Sequence, residues 1–335
     1  MKAIALISGG LDSSLAARII QDLGIELLAF NNRSPFCLCN HRSSTGCINS
    51  ALTAANRLNL KLVSVNVTEE LLKIVKKPKF GYGSNMNPCI DCRILLFKKA
   101  KECMQKEGAS FIVTGEVLGQ RPMSQRIFTI RLIEKEAGLD GLVVRPLCAK
   151  LLKPTIPEES GWIDRNKLLG INGRGRKQQI SMAREFGIND YPCPSGGCLL
   201  TDPGFSRRLK DLMRYAPDFS PDDINLLKIG RHFRVSQNAK LVVGRNEIEN
   251  QKMINLAIPG DYIFMPEEDV AGPTCLGRGE FSQETIEMSC GIASRYCDLE
   301  RSVGARLIYM RFPEKQKKTI ELPAFTEERV NRFHI

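Results

Sequence analysis

The chain has 335 residues, a length that favours two domains with separate cores. No apolar run reaches the roughly eighteen residues of a membrane span, and Met1 leads into a strand-like segment without a signal peptide, so we expect a cytoplasmic protein. The net charge of +11 favours a polyanionic partner, and 12 cysteines in a reducing compartment favour core, catalytic or metal-binding thiols over a disulfide framework.

A phosphate-binding pattern opens the chain. Ala3–Ile7 is typical of a buried parallel strand, residues 15–20 are typical of a helix, and SGGLDSS at residues 8–14 lies between them. The two glycines let the backbone approach an anion, and the two serines at the helix start add hydroxyl donors to its free N–H groups. Because the loop has neither the GxxxxGKS/T nor the GxGxxG spacing, it is neither a Walker A loop nor a dinucleotide site.

Alternating strands and helices follow the loop. Residues 25–30, 60–67 and 111–116 are typical of strands and residues 48–58 of a helix, which predicts a parallel, doubly wound sheet. Ligands of such sheets bind at the carboxyl ends of the strands, where the opening loop lies.

Two groups of cysteines lie in the polar segments of this half. Cys37, Cys39, His41 and Cys47 either ligate a metal or are incidental loop thiols, since this group lacks a CxxC pair. NPCIDCR at residues 87–93 contains such a pair directly before a helical segment, where a thiolate is stabilised. A CxxC pair also occurs in thioredoxin-like proteins, but the phosphate loop indicates another fold, and two thiols need further ligands to hold a metal or cluster.

Three motifs in a fixed order carry a family resemblance. SGGLDSS at residues 8–14, NPCIDCR at 87–93 and TGEVLGQR at 114–121 resemble the PP-loop ATP pyrophosphatases, and among them the tRNA thiouridine synthases of the MnmA and ThiI type, over roughly the first two hundred residues. The resemblance implies an α/β fold, a doubly wound parallel sheet of the adenine nucleotide alpha hydrolase type. It also implies cleavage of ATP to AMP and pyrophosphate while an oxygen is adenylated. The implied nucleotide-binding residues are Ser8, Gly9, Gly10, Asp12, Ser13, Ser14, Thr114 and Gly115, with Mg²⁺ on Asp12.

A third cysteine motif extends the resemblance. YPCPSGGCLL at residues 191–200 resembles the loop with the second catalytic cysteine of the tRNA 2-thiouridine synthases, which maps that cysteine onto Cys198 and leaves Cys193 without a counterpart. The family delivers sulfur in two ways. In one, Cys89, Cys92 and Cys198 hold a [4Fe-4S] cluster with an open fourth iron, which a CxxC pair plus a distant cysteine favours. In the other, one thiol carries a persulfide and a second resolves it as a disulfide; zinc with Cys193 is a third option.

The composition changes at residue 205. Residues 205–212 are typical of a basic amphipathic helix, and KLVVGRNEIEN at 240–250 resembles the Gly-Arg-Asn-x-x-x-Asn signature of the RNA-binding module of ribosome-quality-control factors, the NFACT-R type. Short strands around it suit a smaller C-terminal α+β domain. We therefore expect a PP-loop domain over 1–170, a linker with the cysteine loop over 171–204, and an RNA-binding-like domain over 205–335.

Basic segments provide candidate RNA contacts. The run Lys73–Lys79 is either a solvated helix end or an RNA-facing patch, and the segment 170–177 either touches phosphates or is a capped surface turn. The candidate RNA-binding residues are Lys76, Lys77, Arg174, Arg176, Lys177, Arg207, Arg208 and Arg245. The late cysteines Cys275, Cys290 and Cys297 lack motif spacing and are expected in the core.

The resemblance implies ATP-dependent thiolation of a tRNA uridine, with Asp12, Cys89, Cys92 and Cys198 as catalytic residues. The uridine oxygen is adenylated, and sulfur then displaces AMP from the ring carbon. The expected cofactors are ATP, Mg²⁺ and a [4Fe-4S] cluster. The expected partners are tRNA and a sulfur donor, either hydrosulfide or a cysteine desulfurase or other persulfide carrier.

Two alternatives come from other classes. A PP-loop ligase or amidase acting on a small molecule would lack the CxxC pair and the basic appendage, and a non-catalytic RNA-binding protein would not need an intact SGGxDS loop. Within tRNA thiolation, 4-thiouridine at position 8 and 2-thiouridine at position 34 both fit the motifs.

Overall fold

The computed structural model describes residues 1–37, 46–189, 191, 197–299, 304–314 and 316–335, with the backbone alone for residues 46–49. Cys39, His41, Cys193 and the side chain of Cys47 therefore lie outside the described residues. The chain divides into two compact units, Met1–Asp202 and Pro203–Ile335.

A five-stranded parallel sheet in the order β3-β2-β1-β4-β5 forms the centre of the first unit. The central strand β1 pairs Ala3 with Leu27 of β2 on one side and with Phe111 of β4 on the other. The predicted α/β fold with a doubly wound parallel sheet is confirmed. The strands are β1 (Lys2–Leu6), β2 (Glu26–Arg33), β3 (Leu62–Asn66), β4 (Phe111–Thr114) and β5 (Val143–Val144).

Helices cover both faces of this sheet. Side chains alternate along a strand, so Ala3 and Ala5 of β1 join a core cluster with the first helix, whereas Ile4 joins a cluster on the opposite face with Phe97 of the fourth helix. This two-sided burial explains the unbroken apolar segments of the sequence. The helices are α1 (Leu11–Asp22), α2 (Gly46–Arg57), α3 (Thr68–Lys76), α4 (Cys89–Lys106), α5 (Ile127–Ala137), α6 (Ile156–Glu159) and α7 (Lys177–Glu185).

A buried ion-pair network joins the ends of two strands to the helix with the CxxC pair. Glu116 follows β4, and its side chain is 1% exposed. Its carboxylate binds Arg145 Nε, which follows β5, and Arg93 Nη2 of α4, each at 3.0 Å. Glu134 of α5 also binds Arg145. Two carboxylates and two guanidinium groups balance in charge, as burial requires.

The second unit is an antiparallel six-stranded sheet in the order β11-β10-β8-β9-β7-β6. Phe233, Leu241 and Phe264 lie in its core. The late cysteines Cys275, Cys290 and Cys297 are buried members of the same cluster, so the prediction of core thiols is confirmed. The strands are β6 (Arg231–Arg234), β7 (Ala239–Val243), β8 (Tyr262–Pro266), β9 (Cys275–Gly279), β10 (Ala305–Arg311) and β11 (Lys318–Leu322). The helices are α8 (Pro203–Tyr215), α9 (Pro221–Leu226), α10 (Glu247–Asn255), α11 (Gln283–Ser294) and α12 (Glu327–Asn331).

Within the described ranges, none of the helices has the length and apolar character needed to cross a bilayer.

Replacing Arg145 by Met should lower the free energy of unfolding of the first unit by about 3 kcal/mol or more, because the buried Glu116 loses one of its two cations. Trp162 is the single tryptophan and packs against the core of this unit, so its fluorescence during urea unfolding reports the change. Lys79→Met is the matched control. It removes a largely exposed pair with Glu136, and we expect a change below about 1 kcal/mol. Equal effects of the two variants would contradict a structural role for the buried network.

Candidate functional site

The phosphate loop follows β1 and is closed by its own hydroxyl groups. Ser13 Oγ donates to the Gly10 carbonyl at 2.8 Å and accepts from the Ser8 N–H at 3.3 Å, and Ser14 Oγ donates to the same carbonyl at 3.3 Å. The first helical hydrogen bond runs from Ser14 N–H to Gly10, so the earlier N–H groups of α1 have no helical acceptor. The hydroxyls of Ser13 and Ser14 already donate to the Gly10 carbonyl. The free backbone N–H groups are therefore the donors that remain available to bind an anion.

Two glycines permit the close packing of this loop. Gly9 has a φ of 81°, and a Cβ there would lie 2.5 Å from the Ser50 backbone. Gly115 follows β4, and its Cβ would lie 2.5 Å from the backbone of Asp12 and Ser13. Thr114, the last residue of β4, is buried beside it. The structure therefore brings the predicted nucleotide-binding residues of SGGLDSS and of the Thr-Gly turn into one place.

Buried oxygen atoms without a hydrogen-bond partner line this edge of the sheet. Among the described residues they include Asp12 Oδ1, Asn31 Oδ1, Asn32 Oδ1 and Ser64 Oγ. The other Asp12 oxygen accepts from Gln120 Nε2 at 2.9 Å, which fixes the carboxylate. An unsatisfied buried polar group costs about 1–3 kcal/mol, so these atoms favour a polar ligand or a cation. The asparagines and Ser64 were missed from the sequence, although polar residues at a strand's carboxyl end are a usable signal.

Two segments carry the predicted thiols Cys89, Cys92 and Cys198, and they lie side by side. Cys89 begins α4, and Cys92 lies in its first turn. The loop before them is bonded to the segment that carries Cys198, because the Met86 N–H donates to the Leu200 carbonyl at 3.0 Å. The sequence predicts that these thiols form one centre, and the structure joins the two segments that carry them.

A fourth thiol lies at the same place. Cys37, which follows β2, faces Cys198 across an isolated antiparallel bridge. The Leu199 N–H donates to the Phe36 carbonyl at 2.8 Å and holds the two segments together. The sequence linked Cys37 to Cys39 and His41 by spacing, but this contact joins positions far apart in the chain and has no local signal.

Burial keeps Cys198 and Cys92 protonated. It raises the pKa of Cys198 to about 12, and the nearby Cys92, Cys89 and Cys37 act in the same direction. Burial likewise raises the pKa of Cys92 to about 11, whereas Arg93 and Arg121 lower it. Crowded buried thiols resist negative charge, and a bound metal centre or a covalent sulfur bond relieves that cost.

The thiols do not form a ready site for a single metal ion. Over the residues that the structure describes, no group of three or more His, Cys, Asp or Glu side chains is arranged to hold one. A [4Fe-4S] cluster takes one thiolate on each iron, so its ligands need not converge on one point. The donor set at residues 89, 92 and 198 therefore fits a cluster in its chemistry.

The candidate RNA-binding residues are distributed over both units. In the first unit Lys76, Lys77, Arg174 and Lys177 are exposed, and Arg176 Nε is buried without a hydrogen-bond partner. In the second unit, Arg207 is exposed and Arg208 is half-buried on α8, and Arg245 Nε is bound by the Glu249 carboxylate at 2.9 Å.

A buried basic cluster in the second unit was missed from the sequence. Lys240 of β7 is 6% exposed and lies opposite Arg234 of β6. Asp211 of α8 binds Arg234 Nε at 3.1 Å and lies 3.7 Å from Lys240 Nζ. Burial lowers the pKa of Lys240 to about 7 against the opposing effect of Asp211. The single carboxylate of Asp211 thus interacts with both Arg234 and Lys240.

Two protein-family models match the chain, one in each compact unit. Residues 1–156 match the family model described as thiamine biosynthesis protein (ThiI), and residues 230–334 match the one described as NFACT protein RNA binding domain. Both resemblances predicted from the motifs are thereby confirmed.

Curated relatives are also similar to part of the chain. A protein of Methanosarcina mazei described as probable tRNA sulfurtransferase is 30% identical over 121 residues, 36% of this chain and 29% of that protein. One of Thermoanaerobacter sp. with the same description is 31% identical over 148 residues, 44% of this chain and 36% of that protein. The match thus spans 29% to 36% of the length of these relatives.

A solved structure is also similar. The crystal structure of a 4-thiouridine synthetase–RNA complex with bound ATP is 22% identical with a TM-score of 0.41, covering 68% of this chain and 52% of that one.

The stability of the second unit should rise with pH above neutrality because of Lys240. The folded unit releases this proton at about 7, whereas the unfolded chain keeps it to about 10.5, so the unfolded state binds more protons in between. Lys240→Met should therefore gain less stability than the wild type between pH 6.5 and 8. Guanidinium unfolding by circular dichroism measures this, with Trp162 fluorescence marking the first unit. The exposed control Lys252→Met should keep the wild-type rise, and an unchanged rise in Lys240→Met would contradict the assignment.

Proposed function

We propose that the chain catalyses the ATP-dependent thiolation of a tRNA uridine. The observation that carries the proposal is the position of the thiols beside the phosphate loop. Arg93, next to Cys92, binds Glu116, which directly follows the Gly115 that packs on Asp12. The loop proposed to bind ATP and the helix that carries two of the thiols proposed to handle sulfur are thus connected at one edge of the sheet. The tRNA sulfurtransferase description of the curated relatives supports the same reaction.

The phosphate loop is proposed to bind ATP. The free N–H groups at the start of α1 would bind the β and γ phosphates, and the unpartnered Asp12 Oδ1 would bind Mg²⁺. Gln120 holds the other carboxylate oxygen and so fixes the direction of the first. The uridine oxygen then attacks the α-phosphorus, and the protein contributes positioning and neutralisation of charge.

The thiols at residues 89, 92 and 198 are proposed to hold a [4Fe-4S] cluster. When bound, such a cluster with one iron free of protein ligands supplies a site that binds sulfide. Arg93 and Arg121 favour the thiolate of Cys92, which a ligand must present. Hydrosulfide or a persulfide carrier would be the sulfur donor.

The tRNA is proposed to bind through both units. The match of residues 230–334 to an RNA-binding domain and the net charge of +11 support this partner. Exposed Lys76, Lys77, Arg174 and Lys177 on the first unit and Arg207 on the second provide cations for phosphates.

An assay with purified, cluster-reconstituted protein tests the reaction. With ATP, sulfide and unmodified tRNA, AMP and thiouridine should form in equal amounts, and neither should form without tRNA. Asp12→Asn should lower the rate about a hundredfold or more because Mg²⁺ loses its anionic ligand. Asp22→Asn, at the other end of the same helix, is the control and should keep the rate. AMP formation that is independent of tRNA would overturn the proposal in favour of a ligase acting on a small molecule.

Gly115→Ala should weaken ATP binding at least about tenfold, or about 1.4 kcal/mol. The added methyl group would lie 2.5 Å from the Asp12 backbone and displace the start of α1. Isothermal titration calorimetry measures the affinity. Gly170→Ala is the matched control because its Cβ meets neighbours only at 3.5 Å or beyond. An unchanged affinity in Gly115→Ala would contradict binding at this loop.

Protein purified without oxygen should contain about four iron atoms per chain and show the broad absorbance of an iron–sulfur cluster. Cys89→Ala, Cys92→Ala and Cys198→Ala should each abolish both signals, since each removes a ligand. Cys103→Ala, in the same helix α4, should leave them intact. A colourless, iron-free protein with full activity would exclude the cluster and leave the persulfide route.

A further inference from the structure

Cys89, Cys92, Cys198 and Cys37 together are called the sulfur centre here. Cys37 is the member that is not proposed as a ligand of the cluster. It is half-buried, as is Cys198, and neither residue is part of a disulfide in the structure. The isolated antiparallel bridge pairs these two residues directly, although the chain separates them widely.

The type of bridge determines how close the two side chains lie. The hydrogen bond from Leu199 N–H to the Phe36 carbonyl joins residues that flank the pair, not the pair itself. Cys37 and Cys198 therefore occupy a non-hydrogen-bonded position, where Cα atoms are about 4.5 Å apart and the side chains share one face. Disulfides span Cα separations of about 4.4 to 6.8 Å. The two thiols can join without a shift of the backbone.

We propose that Cys37 and Cys198 form a reversible disulfide that withdraws Cys198 from the sulfur centre. The Cys37 thiolate attacks a low-molecular-weight disulfide such as oxidised glutathione and displaces one glutathione thiolate. The other thiolate then attacks the mixed disulfide and displaces the second. Two protein thiols are oxidised to one disulfide, and one glutathione disulfide is reduced to two thiols.

The consequence of this bond rests on the proposed function. With Cys198 bound to Cys37, only Cys89 and Cys92 remain, and two thiols are too few for a [4Fe-4S] cluster. Reduction restores the third ligand. A cluster that is already bound to Cys198 protects that sulfur from oxidation. Disulfide formation and cluster binding therefore compete for Cys198.

Peptide mass spectrometry of the full chain tests the disulfide. Cluster-free protein is treated with oxidised glutathione, its remaining thiols are alkylated, and trypsin is added without reductant. Cleavage after Arg33, Arg42, Arg184 and Arg207 gives the peptides 34–42 and 185–207. We expect these two peptides to be linked, with a mass lower by the two thiol hydrogens, and dithiothreitol to separate them.

Each peptide contains a second cysteine, which provides matched controls. Cys39 accompanies Cys37, and Cys193 accompanies Cys198. Cys37→Ser and Cys198→Ser should each abolish the linked peptide, whereas Cys39→Ser and Cys193→Ser should retain it. A link that depends on Cys39 or Cys193, a bond within the Cys89–Cys92 pair in its place, or no link at all would overturn the proposal.

Iron uptake separates this proposal from the cluster proposal. Oxidised wild-type protein should bind less than a tenth of the iron that the reduced protein binds, and Cys37→Ser should load equally before and after glutathione treatment. If no form binds iron but the linked peptide appears, the cluster fails and the disulfide stands. If iron binds and the linked peptide never forms, the disulfide fails alone.

Discussion

The buried carboxylate of Glu116 fixes the relation between the two chemical parts of the first unit. It binds Arg145 after β5 and Arg93 of the CxxC helix, and its own backbone continues directly from Gly115. Gly115 in turn packs against the start of α1 without room for a side chain. A charge in this environment is tolerated only with its partners in place. The same dipeptide thus holds the phosphate loop on one side and orients the thiol-bearing helix on the other.

Much of this unit could be predicted from the sequence because the signals are local. Ala3–Ile7, the glycine turn and the helix after it lie in one short stretch, and their order determines a parallel strand, an anion site and the edge of the sheet where ligands bind. The CxxC pair at a helix start is also a local pattern, and α4 begins at Cys89.

Contacts between distant segments could not be predicted in this way. The bridge between Cys37 and Cys198 depends on how the segment after β2 meets the segment before the second unit, and no spacing in the sequence records that register. The buried Lys240 was missed for a related reason. A lysine in a strand is normally solvated, and only the tertiary structure shows that Asp211 and Arg234 enclose it. The unpartnered oxygens of Asn31 and Ser64 became visible only once β2 and β3 were adjacent.

The protonated state of Cys198 connects the proposed thiolation reaction with the proposed disulfide that would regulate it. Burial raises the pKa of Cys198 to about 12, so this sulfur is held as a neutral thiol until a metal or another sulfur takes the place of its proton. In the two proposals, iron and the Cys37 sulfur are the two replacements for this proton, and they exclude one another. The two proposals together predict that the thiols take part in tRNA thiolation only when the protein is reduced.

The central claim is that the chain thiolates tRNA, and nucleoside mass spectrometry of tRNA from a strain that lacks the protein tests it most directly. The account predicts that one thiolated uridine disappears from the deletion strain, returns when the wild-type chain is supplied, and stays absent with Asp12→Asn. An unchanged set of thiolated nucleosides in the deletion strain would contradict it.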